Sequence, residues 1–228
     1  MLDKHSPLLT HYSQQAHAVQ ALVLTLVAKR LGLAPSQLHA MHALQRASGD
    51  HVRFVRAPPQ PAADRRTALG AHSDFGSVTV LMNRLGGLQV RLPAGVAARG
   101  GAAAPLCEVE PSGERWAYVR PLPGHAVVNL GDAMVIFSQG LLRSNVHRVV
   151  SPPGAQADVE RYSLVYFGRP ADDVVLRPLR ESAIVAARCK GEEKGDEVSA
   201  KEWILRRALY RRNGARWEDS KGTEDVRS

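Results

Sequence analysis

From His51 to Phe167 the chain is cut into short apolar or alternating runs, each closed by Gly, Pro, Asn or Asp. Side chains that alternate every second residue suit strands, and turn residues at this frequency keep those strands short. The runs are His51 to Arg56, a longer one from His72 to Met82, Leu85 to Arg91, Arg115 to Val119, Ala126 to Leu130, Met134 to Phe137, Val146 to Val150 and Tyr162 to Phe167. About eight or nine such strands in succession predict a mainly β core, either a barrel or a double-sheet jelly roll. Residues 93–114 are rich in Gly, Ala and Pro and read as a loose connection.

Helical patterns flank this core. Val19, Leu22, Val23, Leu26 and Val27 recur at helical spacing within residues 7–33, and the pattern stops at Leu31-Gly32. Ala34-Pro35-Ser36-Gln37 opens a second, shorter helix with Leu38, Met41 and Leu44. A last helix is predicted over 199–213, where Ser199 and Glu202 have the spacing of a capping box. The expected organisation is an N-terminal helical segment packing on the core (1–48), the core itself (49–186), and a C-terminal helix with a polar tail (187–228). His5, His11, His17, His39 and His42 fall in the first two helices and read as surface or capping residues.

A chain of 228 residues can bury a substantial single core. No apolar run approaches the roughly 20 residues of a membrane span, and the first residues do not resemble a signal peptide. Cys107 and Cys189 are too few for a disulfide framework and read as free thiols of a cytoplasmic protein. The net charge of +8 is concentrated toward the C-terminus, at Arg206, Arg207, Arg211, Arg212 and Arg216. With no nucleic-acid-binding signature beside it, this reads as a solvated basic helix, and neither nucleic acid nor membrane is an expected partner.

The chemistry-bearing residues sit where strands begin. His72 and Asp74 are two apart, so in extended chain they project to one face. His147, in Ser144-Asn145-Val146-His147-Arg148-Val149-Val150, is the best third metal ligand; His125 sits too near a turn, without partners. Two imidazoles and one carboxylate on one side of a metal leave the opposite positions open, and these donors suit Fe(II), Mn(II) or Zn(II) alike. The plainer alternative is a surface Asp with two core histidines. Arg161 and Ser163 share a face two residues apart. A guanidinium fork and a hydroxyl would hold the far carboxylate of a small diacid whose other end chelates the metal; the alternative is an Arg161 paired with Asp158 or Glu160. Phe75 is a candidate pocket wall, and Asn145 and Asn129 are candidates for hydrogen bonds behind the ligands.

On these residues the sequence resembles a known family, the 2-oxoglutarate- and Fe(II)-dependent dioxygenases of the isopenicillin N synthase-like group. The resemblance is carried, in family order, by His72-Ser73-Asp74, Gly87-Leu88-Gln89-Val90, Pro123 to Asp132, Ser144 to Val149, and Arg161-Tyr162-Ser163. The phrasing is most similar to fungal members. The resemblance implies a double-stranded β-helix (a cupin-like jelly roll), Fe(II) on His72, Asp74 and His147, and 2-oxoglutarate on Arg161 and Ser163. It also implies an oxidoreductase that uses O2 to hydroxylate, desaturate or cyclise a small organic molecule. Three departures are visible. The chain begins inside the family's helical region, without the globular segment that normally precedes it; the expectation is either a truncated product or fragment, or an unusually open active site. Arg53, Phe54 and Val55 stand where many plant relatives have Asn-Tyr-Tyr. The 93–114 connection is longer than in many relatives. The rival expectations are a same-fold oxidase that does not use 2-oxoglutarate, and a catalytically impaired binding or regulatory relative.

Overall fold

A computed structural model describes residues 2–60, 67–93, 107–189 and 198–212. Helix α1 (Leu2–Arg30) and the short α2 (Gln37–Ala40) lead into β1 (His51–Ala57), β2 (Leu69–His72), β3 (Val78–Asn83), β4 (Leu88–Arg91), β5 (Cys107–Val109), β6 (Arg115–Tyr118) and β7 (Val127–Leu130). Helix α3 (Asp132–Phe137), β8 (His147–Val149), a 3-10 turn (Gly154–Asp158), β9 (Arg161–Gly168), α4 (Ala183–Ala186) and α5 (Ala200–Arg212) follow. The strands form two sheets, one in the order β1-β9-β3-β7 and one in the order β2-β8-β4-β6-β5, with antiparallel pairing throughout. This is the jelly roll expected from the run of short strands. No helix among the described residues is long and apolar enough to cross a membrane.

Helix α1 packs on the outer face of the four-stranded sheet, against β3 and β9. Its buried stripe is Ala16, Gln20, Leu24 and Ala28, at intervals of four. Val19, Leu22 and Leu26, expected to face the core, are instead exposed. The small side chains at 16 and 28 admit the close approach, and a Cβ on Gly168 would overlap the Gln20 side chain. Leu24, Leu31, Leu38, Val78, Val80, Met134, Phe137 and Tyr166 form the centre of this core. The helix ends as expected: Gly32 takes φ +71°, Leu33 N–H donates to Ala28 C=O and Gly32 N–H to Lys29 C=O, which is a Schellman closure. Two of the five N-terminal histidines are not surface residues. His17 and His42 are buried; one His42 nitrogen meets the Leu38 carbonyl at 2.7 Å, the other the Ser77 hydroxyl at 2.7 Å.

Two of the sequence-predicted strands differ. The run from His72 to Met82 is not one strand: β2 belongs to the five-stranded sheet, β3 to the four-stranded sheet, and 73–77 crosses between them. Met134 to Phe137, read as strand, is the body of α3. A short apolar run is ambiguous between strand and buried helix, and here all of Asp132–Val135 plus Phe137 is buried, so no polar residue marks the period. Gly131 starts α3 in extended conformation (φ −104°, ψ −178°). Its missing side chain is required: a Cβ there would lie 2.2 Å from the Gly76 carbonyl oxygen. Within the connection read as loose, β5 forms the edge of the five-stranded sheet; residues 94–106 of that connection and the tail from 213 lie outside the described residues.

Candidate active site

The site forms where the two sheets meet. His72 is the last residue of β2 and His147 the first of β8, and the two are paired residues in the ladder. Their rings lie 4.2 Å apart between centroids. The register of β2 on β8 shifts between Leu69 and His72, so the ladder is irregular next to these residues. Asp74 is in the link that leaves β2 for the other sheet. It reaches the same place as an i, i+2 strand pair would, although the link carries it there rather than a strand.

The carboxylate of Asp74 is held asymmetrically. Its Oδ2 accepts from Thr79 Oγ1 at 2.7 Å and from Asn129 Nδ2 at 2.8 Å. Its Oδ1 faces His72 Nε2 at 3.9 Å and His147 Nε2 at 3.7 Å. Those two distances are too long for hydrogen bonds. Both Nδ1 atoms lie at hydrogen-bonding distance from backbone carbonyls, His72 from Gly70 (2.8 Å) and His147 from Asn145 (3.0 Å). With Nδ1–H donating, each Nε2 carries its lone pair toward the Asp74 oxygen. Three ligand atoms, one from each residue, all lie within 4.8 Å of one another. This donor set fits a divalent metal. Burial alone would push the Asp74 carboxyl up; the His147 imidazole, then Asn129 and Thr79, then His72, outweigh it and hold the group below the usual carboxylate range.

Arg161 and Ser163 lie at the start of β9, both buried. Arg161 Nε donates to the Gly86 carbonyl at 2.8 Å and Nη1 to Ser163 Oγ at 2.5 Å. Glu160 is engaged elsewhere, with Arg56 and the Tyr162 hydroxyl, and no ion pair joins Arg161 to a carboxylate among the described residues. Burial alone pushes its pKa down. A buried guanidinium with no acidic neighbour is costly unless an anion arrives, so the pair fits a carboxylate ligand.

The remaining candidates are placed as follows. Phe75 is half-buried, and its ring lies 4.9 Å from the Arg207 guanidinium, on the side of the last helix. Asn145 acts through its carbonyl, which meets His147 Nδ1, while its side chain is exposed. Asn129 hydrogen-bonds behind the ligands. Thr79 was missed; its signal was a lone hydroxyl inside an otherwise apolar strand, directly across the ladder from Asn129. Also missed was Arg207, read as part of a solvated basic helix. It is buried, and its Nη2 donates to Asp132 Oδ2 at 2.6 Å.

Residues 49–170 match the 2OG-Fe(II) oxygenase superfamily. The chain belongs to that family. The match contains both halves of the site, from the His72 strand to Ser163. A 2-oxoglutarate-dependent dioxygenase of Aspergillus fumigatus is 33% identical over 187 residues, covering 80% of this chain and 48% of the relative. One of Glarea lozoyensis is 28% identical over 190 residues, covering 83% and 51%. The chain thus spans about half the length of these curated relatives. The crystal structure of a full-length Neurospora crassa protein in complex with alpha-KG superposes with a TM-score of 0.68 at 22% identity, over 87% of this chain and 55% of that one. A 2OG-Fe(II) oxygenase family protein from Caulobacter crescentus gives 0.65 at 24%, over 88% and 57%. These two superpositions carry the fold: the two-sheet arrangement is that of the 2OG-Fe(II) oxygenases.

Proposed function

We propose that this oxygenase-family chain holds Fe(II) on His72, Asp74 and His147, holds 2-oxoglutarate with Arg161 and Ser163, and uses O2 to oxidise a small organic molecule. The products would arise by hydroxylation, desaturation or ring closure, with 2-oxoglutarate decarboxylated to succinate. The observation that carries this reading is the Asp74 carboxylate, one oxygen saturated by Thr79 and Asn129 and the other turned toward two imidazole nitrogens. Family membership and the Aspergillus fumigatus relative support the choice of iron and 2-oxoglutarate over the other metals and diacids that the donor set admits.

When bound, iron with its co-substrate supplies the O2 activation that no side chain provides. The protein's own residues orient and restrain. The Gly70 and Asn145 carbonyls fix both imidazoles in one tautomer. Thr79 and Asn129 keep Asp74 from rotating and lend it charge-assisted hydrogen bonds. The Gly86 carbonyl and Ser163 aim the Arg161 fork, so that a co-substrate carboxylate meets donors already in place. We further propose the organisation 1–48, 49–186 and 187–228 for the chain, and a cytoplasmic location; the two free thiols support the latter.

The test is an anaerobic titration of the chain with Fe(II) and then 2-oxoglutarate, read by the visible charge-transfer band of the chelate, followed by O2 and a succinate assay. The proposal expects the band and succinate formation, both lost in Arg161→Gln. Iron bound without a band would favour a same-fold oxidase independent of 2-oxoglutarate. A band with no succinate, across a panel of small substrates, would favour a binding or regulatory relative.

A further inference from the structure

We infer that Arg207, on the last helix, is a positioning residue for the metal site, acting through Asp132 and Ser73 on the loop that carries His72 and Asp74. The inference rests on the proposed metal reading. Arg207 Nη2 donates to Asp132 Oδ2 at 2.6 Å, and Ser73 Oγ donates to that same oxygen at 2.9 Å. Ser73 is the residue between the two proposed ligands. The backbone of Asp132 grips the loop as well, its N–H donating to the Asp74 carbonyl at 2.8 Å. Gly131 N–H donates to the Ser77 carbonyl and Ala133 N–H to the Gly76 carbonyl. The first turn of α3 therefore fastens the whole crossing segment, and Arg207 fastens that turn.

The arrangement is nearly dry. Arg207 is 7% exposed, Asp132 1% and Ser73 7%. The Arg207 guanidinium carbon lies 4.9 Å from the Phe75 ring centroid and 5.2 Å from that of Trp203. It thus meets the metal loop at two points, through Asp132 and directly at Phe75, and meets its own helix at Trp203. For stability alone a buried ion pair is a poor device, since apolar side chains of similar volume often serve as well. For placement it is a strong one, because the charge-assisted hydrogen bonds are directional and converge on a single carboxylate oxygen. From Ser73 to Gly76 the crossing segment has no strand partner among the described residues, so these contacts stand in for pairing there; Ser77 N–H alone donates to the Gly168 carbonyl of β9. Groups that orient metal ligands from behind typically change affinity ten- to a hundredfold when removed.

The test uses Mn(II) as the probe, with dissociation constants from electron paramagnetic resonance and the thermal midpoint of the metal-free chain measured in parallel. Arg207→Met is expected to weaken Mn(II) about tenfold or more, and Ser73→Ala several-fold, in chains that are folded at the titration temperature. Arg207→Lys should regain part of the loss. The double variant should bind no more weakly than Arg207→Met alone, since both residues act through Asp132. A purely structural Arg207 would lower the thermal midpoint and leave the affinity of the folded chain within about twofold of wild type; that result, or full additivity in the double variant, overturns the inference. If Arg207→Met does not fold, Ser73→Ala, which leaves the ion pair intact, decides alone by the same criterion. A wild-type chain whose Mn(II) affinity is unchanged by His147→Ala would overturn the metal reading itself and this inference with it.

Discussion

The two sheets of this oxygenase-family chain are built to different standards. In the four-stranded sheet β1 pairs with β9 through seven successive residues and β3 with β9 through six, without a break. In the five-stranded sheet β5 and β8 are three residues long, and β2 meets β8 at two residues with a shift of register between them. The proposed imidazole ligands come from the irregular sheet. The regular sheet supplies Thr79 and Asn129, which hold the carboxylate, and Arg161 with Ser163. A regular ladder fixes side-chain position and parity, which suits groups that must hold others still. A register shift re-aims side chains next to a site, and here it lies beside two imidazoles that turn toward one oxygen.

This division can be broken at either sheet. Removing an imidazole should have the largest effect: His147→Ala is expected to weaken Fe(II) binding by more than about a hundredfold, read by anaerobic calorimetry, while circular dichroism shows the fold retained. The junction comes next. Gly131→Ala would place a Cβ 2.2 Å from the Gly76 carbonyl oxygen and 2.8 Å from the Asp74 backbone carbonyl oxygen, and forcing backbone apart there should cost about 3 kcal/mol in urea unfolding.

His42, at the same junction, gives a pH signature. Burial first, and the neighbouring His17, His39 and Arg46 charges after it, lower its pKa to about 4 against the Leu38 hydrogen bond. In the unfolded chain the value is about 6.5. Between the two, the unfolded state binds the extra proton, so stability rises with pH in that window. The contribution of neutral His42 is complete above about pH 6.5 and lost as pH falls toward about 4, about 3 kcal/mol in all. Urea unfolding on either side of that window should show the difference, and His42→Gln should reduce it.

The smallest effect is expected in the regular sheet. Thr79→Val keeps shape and strand but removes one donor to Asp74 Oδ2, and should weaken Fe(II) about tenfold with the fold intact. If Thr79→Val proved as damaging as His147→Ala, the separation between holding and ligating residues would fail.

What the sequence disclosed follows the same line. β1, β7 and β9 were legible because each is a run with clean turn signals at both ends, as was the C-terminal half of the His72–Met82 run, which is β3. The break inside that run was not, since Ser73 to Ser77 has no Pro, and its two turn residues, Asp74 and Gly76, stand apart, the first of them reading as a metal ligand. Helix α3 was misread because Met134 to Phe137 is apolar throughout and, Ile136 apart, buried, so no polar face sets its period. His72, Asp74 and His147 were chosen for donor chemistry, and the structure brings the three together although Asp74 is not in a strand. The Arg207–Asp132 pair spans 75 residues, and a count of charges sees only a basic helix. Residue pattern discloses alternation and chemistry; it does not disclose which distant charge folds inward.

The proposed function stands or falls on whether His72, Asp74 and His147 together hold one iron. The most direct test is an anaerobic crystal soaked in Fe(II), with an anomalous difference map at the iron edge. One iron held by all three gives a single strong peak about 2.2 Å from His72 Nε2, Asp74 Oδ1 and His147 Nε2. A strong peak elsewhere, or none in crystals whose Asp74 carboxylate still faces both imidazoles, would contradict it.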